Sequence, residues 1–261
     1  MGKKIKKFKP KISIIIPNYN KGKYIEQAIK SLINQNYKNW KALIIDDKST
    51  DNSKKILKKY NSHPKIKIIF LKKNKGPSYC RNLGIIKSKS NFIAFLDSDD
   101  FWPKHKLSTQ VNFMVKNNLS FTFTDYISFY QNENRLKKIG VSKVPNSFDF
   151  SSFIKNSSIN TSTIIIKKNL IKNIKFKNLM KHEDYIFKCE IFKKNKGLIA
   201  RKCIQTFAHY RILKNSRSQN KFKSVYYLWK YNKKFNGLGI LKNFNSIFNI
   251  SLNSIKKYGL K

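Results

Sequence analysis

Residues 92–102 read FIAFLDSDDFW, and the change of character after Leu96 governs how the rest of the chain is read. Phe92 to Leu96 is an uninterrupted apolar run of strand length, the pattern of a strand covered on both faces. It runs straight into Asp97, Ser98, Asp99 and Asp100. In a chain with 56 Lys+Arg and 13 Asp+Glu, so tight an acidic cluster is either a solvated turn or helix cap, or the place where a cation sits. At the carboxyl end of a buried strand in an open α/β sheet, the second reading makes the acids holders of a metal and a phosphorylated ligand.

Upstream, the same pattern repeats. Lys11 to Pro17 reads as a strand, with Ile12, Ile14, Ile15 and Ile16 supplying β-branched bulk and Pro17 ending the ladder. Tyr24, Ile25, Ala28, Ile29, Leu32 and Ile33 recur at helical spacing, which predicts an amphipathic helix from Lys23 to about Gln35. A second strand, Lys41 to Ile45, runs into Asp46 and Asp47, and Ser49, Thr50 and Asp51 offer N-caps to a helix carrying Ile56 and Leu57. Ile66 to Leu71 is a third strand, followed by NKGPS and a helix containing Arg81 and Asn82. Strands alternating with helices imply parallel pairing, which brings Pro17 to Asn20, Asp46 and Asp47, the Lys75 region and Asp97 to Asp100 to one edge of the sheet.

Downstream the rhythm weakens. Lys104 to Lys116 reads as a helix, Leu119 to Tyr126 as a strand, Phe148 to Asn156 as a short helix, and Thr161 to Ile166 as another strand. His182, Glu183 and Asp184 open a further helix, where acids suit the first turn without any catalytic role. Gln205 to Tyr210 reads as a late strand before the polar run RILKNSRSQNK. From Phe222 to Lys261 aromatic and aliphatic residues alternate with lysines, and no acid occurs.

The formal charge of +43 attracts polyanions, anionic membranes and phosphorylated small molecules alike. It is spread along the chain as single, paired or triple lysines and no nucleic-acid motif accompanies it, so a general bias is favoured over a nucleic-acid patch. Cys80, Cys189 and Cys203 are odd in number and form no CxxC pair, which reads as buried thiols in a reducing compartment. Met1 to Lys11 has no apolar signal core, and no run approaches the roughly 18–20 apolar residues of a bilayer span. The expected location is cytoplasmic, with peripheral contact at the inner face of the plasma membrane.

Five stretches, ISIIIPNYNKGKYIEQAIKSLINQ, IIDDKSTDNS, NKGPSYCRNLGI, FIAFLDSDDFW and HEDYIF, resemble in content and order the family 2 glycosyltransferases, inverting nucleotide-sugar enzymes with a GT-A fold. The resemblance is close from about Lys11 to Trp102 and looser to about Ser218. It implies an α/β GT-A domain over 1–218, with a central mostly parallel sheet flanked by helices. The nucleotide part would span about 11–102 and the acceptor part about 103–218, with a helical basic-aromatic extension over 219–261.

By the same resemblance, Pro17, Tyr19 and Asn20 would wall the nucleotide, and Asp47 would accept the N3–H of a uracil base. Arg81 and Asn82 would flank the nucleotide and donor sugar, the alternative for Arg81 being a surface helix arginine. Asp97 would touch the ribose or a metal-bound water, and Asp99 would coordinate Mg2+ or Mn2+ on the diphosphate. Asp100 would cap the next helix or bind sugar hydroxyls. Asp184 would be the general base for an acceptor hydroxyl, with Glu183 as an orienting or acceptor-side group. His182 would be an acceptor-side group or merely a solvent-facing histidine. His209, Tyr210 and Arg211 resemble the segment before a mobile loop in this family, with Ser216 to Ser218 closing over the diphosphate. Lys48 stands where the family often has glycine, and the QxxRW signature of processive members is absent, which implies a single addition.

These implications add up to transfer of one sugar from a nucleoside diphosphate sugar, UDP in the first instance, to a hydroxyl of a surface glycan or lipid-linked acceptor. Tyr226, Tyr227, Trp229, Phe235 and Phe248 would either meet an anionic membrane interface or serve as core and oligomer contacts. Two other classes are open to such a sequence. One is a glycosyltransferase-like protein without catalysis that binds polyanions or membranes; the other is a nucleotidyltransferase, for which PNYNKG is a poor phosphate loop.

Overall fold

The isoleucines of the first strand dictate where the chain begins to fold. β1 (Ile12–Asn18) buries Ile12, Ile14, Ile15 and Ile16 completely, which only a strand covered by helices on both faces achieves. In the computed structural model, which describes residues 9–132, 135–213 and 221–258, β1 is a central strand. Parallel neighbours flank it: β2 (Trp40–Asp46) on one side, with β3 (Ile66–Phe70) beyond, and β4 (Phe92–Phe95) on the other.

The crossovers are α1 (Gly22–Ile33), α2 (Ser53–Lys58) and α3 (Gly76–Lys87). α1 buries Ile25, Ala28, Ile29 and Leu32, the face its spacing predicts. α3 lies so close to β1 that a Cβ on Gly84 would meet Ile15 Cγ2 at 2.4 Å, which explains a glycine inside that helix. Ser49, Thr50 and Asp51 do not cap α2 in the predicted way. The residue at its N-cap is Asn52, without a side-chain hydrogen bond, and Asp51 instead joins the starts of α1 and α2.

Beyond β4 the sheet continues through β8, β5, β9 and β7, giving the order β3-β2-β1-β4-β8-β5-β9-β7, with β6 paired to β5. β8 (Ile165–Lys167) runs antiparallel to both β4 and β5. β5 (Phe121–Asn132) runs parallel to β9 (Ala200–Arg211), while β6 (Arg135–Ser142) and β7 (Ser147–Phe148) are antiparallel to their partners. Parallel pairing thus holds across β3-β2-β1-β4 and returns only between β5 and β9 among the described residues.

Several expectations shift here for physical reasons. Thr161–Thr163 is a 3-10 turn, its start capped by Asn160 Oδ1, and the strand begins only at Ile165. The strand predicted from Gln205 begins at Ala200, because pairing jumps from Thr124–Cys203 to Asp125–Phe207 and the bulge interrupts the alternation. β6 escapes notice because Leu136, Ile139 and Val141 point to solvent among lysines and no buried face repeats. The helix expected over Phe148 to Asn156 is the four-residue α5 (Phe150–Phe153), closed by a capping box at Asp149.

α4 (Lys106–Lys116) covers β9, and α6 (Glu183–Lys194) buries Tyr185, Ile186, Phe187, Ile191 and Phe192. The extension forms α7 (Lys221–Tyr231), a π turn (Asn232–Asn236) and α8 (Ile240–Tyr258). It is bolted to α6 through one buried amide. Asn232 Oδ1 accepts from Tyr185 Oη at 2.8 Å and Asn236 Nδ2 at 2.7 Å, and its Nδ2 donates to Asn243 Oδ1 and Ser246 Oγ, each at 3.1 Å. Of the five aromatics considered for a membrane, Tyr227 and Phe235 pack against the core, Trp229 is half-buried, and Tyr226 and Phe248 are exposed. Cys80, Cys189 and Cys203 are free and buried. Among the described residues no helix is long and apolar enough to cross a membrane. Ser216 to Ser218 lie outside the described residues.

Candidate active site

A cleft of about 880 Å³ opens where β1, β2 and β4 end. Pro17, Tyr19, Asn20, Asp47, Arg81, Asp97, Asp99, His182, Glu183 and Asp184 all line it. Asp100 does not. The cleft therefore gathers residues from distant parts of the chain, as parallel topology requires at the ends of β1, β2 and β4.

The loop after β1 is shaped by Asn20, whose backbone is left-handed (φ 50°) and whose Oδ1 accepts the Thr50 N–H at 2.8 Å. Asp46, buried at the end of β2, accepts from Asn18 Nδ2 at 2.7 Å and from Ser49 Oγ at 2.6 Å. Asp47 accepts the N–H groups of Lys75 and Gly76 at 2.7 and 2.8 Å, one on each oxygen. A carboxylate has about four acceptor sites, so these two N–H donors do not exhaust it. Lys48 also has positive φ, 59°, so its place suits glycine, and a lysine there costs about 1 kcal/mol of backbone strain. Asp51 takes Gly22 N–H at 2.8 Å and Ser53 N–H at 2.9 Å. Burial alone would raise its pKa, but these bonds and one to the Ser53 side chain hold it below the usual carboxylate range.

Arg81 is only 6% exposed and is no surface arginine. Its Nη2 meets Asp97 Oδ1 at 2.7 Å, its Nη1 lies 3.6 Å from Glu183 Oε1, and its guanidinium sits 5.3 Å from the Phe176 ring centroid. Burial works to discharge it, but Asp97 and Glu183 hold it protonated, with its pKa raised. Nε and Nη1 have no hydrogen-bond partner, so buried donors stand at the cleft wall. Asn82 points elsewhere, exchanging hydrogen bonds with the main chain of Phe176.

Asp99 Oδ2 pairs with Lys21 Nζ at 2.8 Å, while its main-chain oxygen accepts from Arg211 Nε at 2.8 Å. Asp100 turns away from the cleft. Its carboxyl is buried, accepting Ser162 Oγ at 2.6 Å and Arg211 N–H at 3.0 Å, and α4 begins too far on for it to cap. It binds no sugar hydroxyl in that position. Burial first, and then the charges of Asp99 and Asp97, push its pKa well up. Ser162 Oγ also receives Asp97 N–H at 3.1 Å, so the 3-10 turn holds the acidic loop from behind.

Asp184 stands in the first turn of α6 with its side chain 41% exposed. Its Oδ2 accepts from Lys188 Nζ at 2.8 Å and from Thr161 Oγ1 at 3.3 Å. Burial of the carboxyl acts to raise its pKa, but Lys188, then Arg81 and His182, hold it well below the usual range. His182 is not solvent-facing: it takes a left-handed backbone (φ 59°) at the helix start, and its Nε2 lies 2.9 Å from both the carbonyl oxygen and Oγ of Ser224. His209 lies outside the cleft lining, stacked on Phe101 at 4.2 Å, with its pKa pushed down to about 4 by burial. Tyr210 and Arg211 do line the cleft.

Lys21 and Lys188 are the site residues that sequence reading passed over. Lys188 had a signal in its i,i+4 spacing from Asp184. Lys21 had none, being one lysine among many. For a divalent ion the donor set on the cleft wall is Asp97 and Asp99, with no cluster of three His, Cys, Asp or Glu among the described residues. Two carboxylates fit a hard cation whose other ligands are phosphate oxygens and water.

Residues 13–195 match Glycosyl transferase family 2. An uncharacterized glycosyltransferase of Haemophilus influenzae is 36% identical over 252 residues, covering 95% of this chain and 98% of that one. The Escherichia coli UDP-Glc:alpha-D-GlcNAc-diphosphoundecaprenol beta-1,3-glucosyltransferase WfgD is 35% identical over 219 residues, 84% of this chain and 83% of that protein. Among solved structures, Staphylococcus aureus TarS 1-349 in complex with UDP-GlcNAc superposes with a TM-score of 0.71 at 20% identity, covering 94% of this chain and 73% of that one, which shows the shared GT-A fold.

Proposed function

This chain belongs to glycosyl transferase family 2, and from that premise we propose that it is an inverting enzyme. It moves one sugar from a UDP-sugar to a hydroxyl of a lipid-linked or surface-glycan acceptor. One observation carries the reading: the Arg81 guanidinium touches Asp97 of the donor loop and approaches Glu183, the neighbour of Asp184, so the donor acids and the acceptor acids share one cleft. The lipid-linked acceptor class is supported by the likeness to WfgD.

The nucleotide lies against Pro17, Tyr19 and Asn20, and Asp47 accepts the base N–H with the lone pairs that Lys75 and Gly76 leave open. Arg81 brings its positive charge to the donor side of the cleft. Asp99, with Asp97 beside it, would hold Mg2+ or Mn2+, which when bound supplies positive charge to the departing diphosphate. Asp184 takes the proton of the acceptor hydroxyl as that oxygen bonds to the anomeric carbon and the bond from that carbon to the diphosphate oxygen breaks. Its depressed pKa keeps it ionised throughout the neutral range, and Lys188 fixes its direction. Glu183, mostly buried beside Arg81, orients the site and does not reach out to the acceptor.

The test is a screen of UDP-sugars against a GlcNAc-diphosphate-lipid acceptor with divalent metal. Transfer should appear with at least one donor and fall about 100-fold or more in Asp99→Asn. Transfer undiminished in that variant removes Asp99 from the site.

A further inference from the structure

α8 turns Ile247 and Ile250 to the core but leaves a second apolar face outside. Its inward face carries Asn243 and Ser246, 1% and 0% exposed, in the buried amide network with Asn232. Its outward face carries Leu241, Phe244, Phe248, Leu252 and Ile255, exposed by 86, 65, 53, 37 and 38%. At 100° per residue these five fall within roughly 80° of arc, one continuous apolar stripe along the helix. Lys242, Asn245 and Asn249 border it on one side. A helix on a globular surface normally keeps one apolar face and buries it, and scattered single exposed apolar residues would need no account; a stripe from Leu241 to Ile255 does.

Charge says what covers it. Every charged side chain after Glu190 is basic, and Lys223, Lys230, Lys233, Lys234 and Lys242 are all exposed on α7, the π turn and α8. A protein partner for the stripe would need a matching acidic rim, and a second copy of this chain brings only the same lysines. An anionic bilayer offers hydrocarbon and negative charge together. The helix cannot cross it, because its inner face is committed to the core through Asn243 and Ser246. It would lie in the plane of the interface. α7 continues toward the cleft: Phe222 and Tyr226, 92% and 60% exposed, bracket Ser224, which lines the cleft and holds His182.

We propose that the outer faces of α7 and α8 seat the protein on an anionic bilayer, with the acceptor side of the cleft beside that surface. Its purpose rests on the lipid-linked acceptor reading, but its measurement does not.

The experiment is co-sedimentation of the full chain, without donor or acceptor, with vesicles of phosphatidylcholine alone or mixed with phosphatidylglycerol. The wild type should sediment with the anionic vesicles, be released in part by high salt, and fail to sediment with neutral ones. The triple variant Leu241→Ser, Phe244→Ser, Phe248→Ser, checked by its thermal midpoint and by UDP binding, should bind at least ~10-fold more weakly. Should that variant fail to fold, Phe248→Ser alone is measured the same way and should weaken binding by about 3-fold or more. A wild type that ignores anionic vesicles, or a folded variant that binds as well as wild type, overturns the proposal. So does a wild-type dimer that the variant converts to monomers with no vesicle binding by either. UDP binding lost while vesicle binding persists would count against the transferase reading and leave this one standing.

Discussion

The two halves of the sheet meet the cleft by different means. Across β3-β2-β1-β4 each loop is tied down by a carboxylate: Asp46 to Asn18 and Ser49, Asp47 to the start of α3, Asp51 to the starts of α1 and α2. Across β8-β5-β9 the wall is made from irregular pieces, a 3-10 turn, a left-handed residue before α6 and the end of a bulged strand. The first half is regular and pre-set, suited to a ligand that is always the same. The second is irregular in backbone, and Asp184, the half-exposed acid on its cleft wall, is steered by side chains from Thr161 and Lys188. The proposed roles, nucleotide recognition on one side and acceptor chemistry on the other, fit that contrast.

Three substitutions break or sharpen this contrast. Asp184→Asn keeps the shape and removes the proposed base, so kcat should fall by about 1,000-fold while UDP affinity, read by calorimetry, stays within about twofold. An equal loss of UDP affinity would mean that the halves are not separable. Arg81→Met cuts the join between them. It leaves Asp97 and buried Glu183 without their shared cation, and thermal or urea unfolding should show a loss of about 3 kcal/mol.

The smallest effect concerns the β9 side alone. Burial depresses the His209 pKa to about 4, so the neutral ring is favoured in the fold; the stability this confers is complete above the unfolded value near 6.5 and drains away as pH falls toward 4. His209→Phe preserves an aromatic ring on Phe101 and should flatten that window by about 1–2 kcal/mol, measured as unfolding free energy against pH. An unchanged slope would assign the acid sensitivity to other groups.

How legible each half was follows from the same contrast. β1 and β4 stood out because strands buried on both faces read as apolar runs, and the acids after β2 and β4 fell where the runs stopped. The resemblance then gave roles to Asp47, Asp97, Asp99, Asp100, Glu183 and Asp184, and the cleft gathers all of these except Asp100, whose burial behind Ser162 and Arg211 no local pattern encodes. In the other half the bulge in β9 hid half a strand and solvent-facing β6 offered no alternation. Lys188 was marked only by its spacing from Asp184, and Lys21 by nothing, because in a chain so rich in lysine a functional one looks like its neighbours.

The carboxylates that tie the donor loops have one more effect, which concerns anion binding. In many nucleotide-binding α/β proteins a phosphate sits on the free N–H groups at a helix start, drawn by the positive end of the helix dipole. Here Asp51 occupies the starts of α1 and α2, and Asp47 occupies the start of α3. The protein has filled its own anion seats with its own acids. A diphosphate entering this cleft must therefore find its counter-charge on side chains such as Lys21 and Arg211, or on an ion that it brings with it.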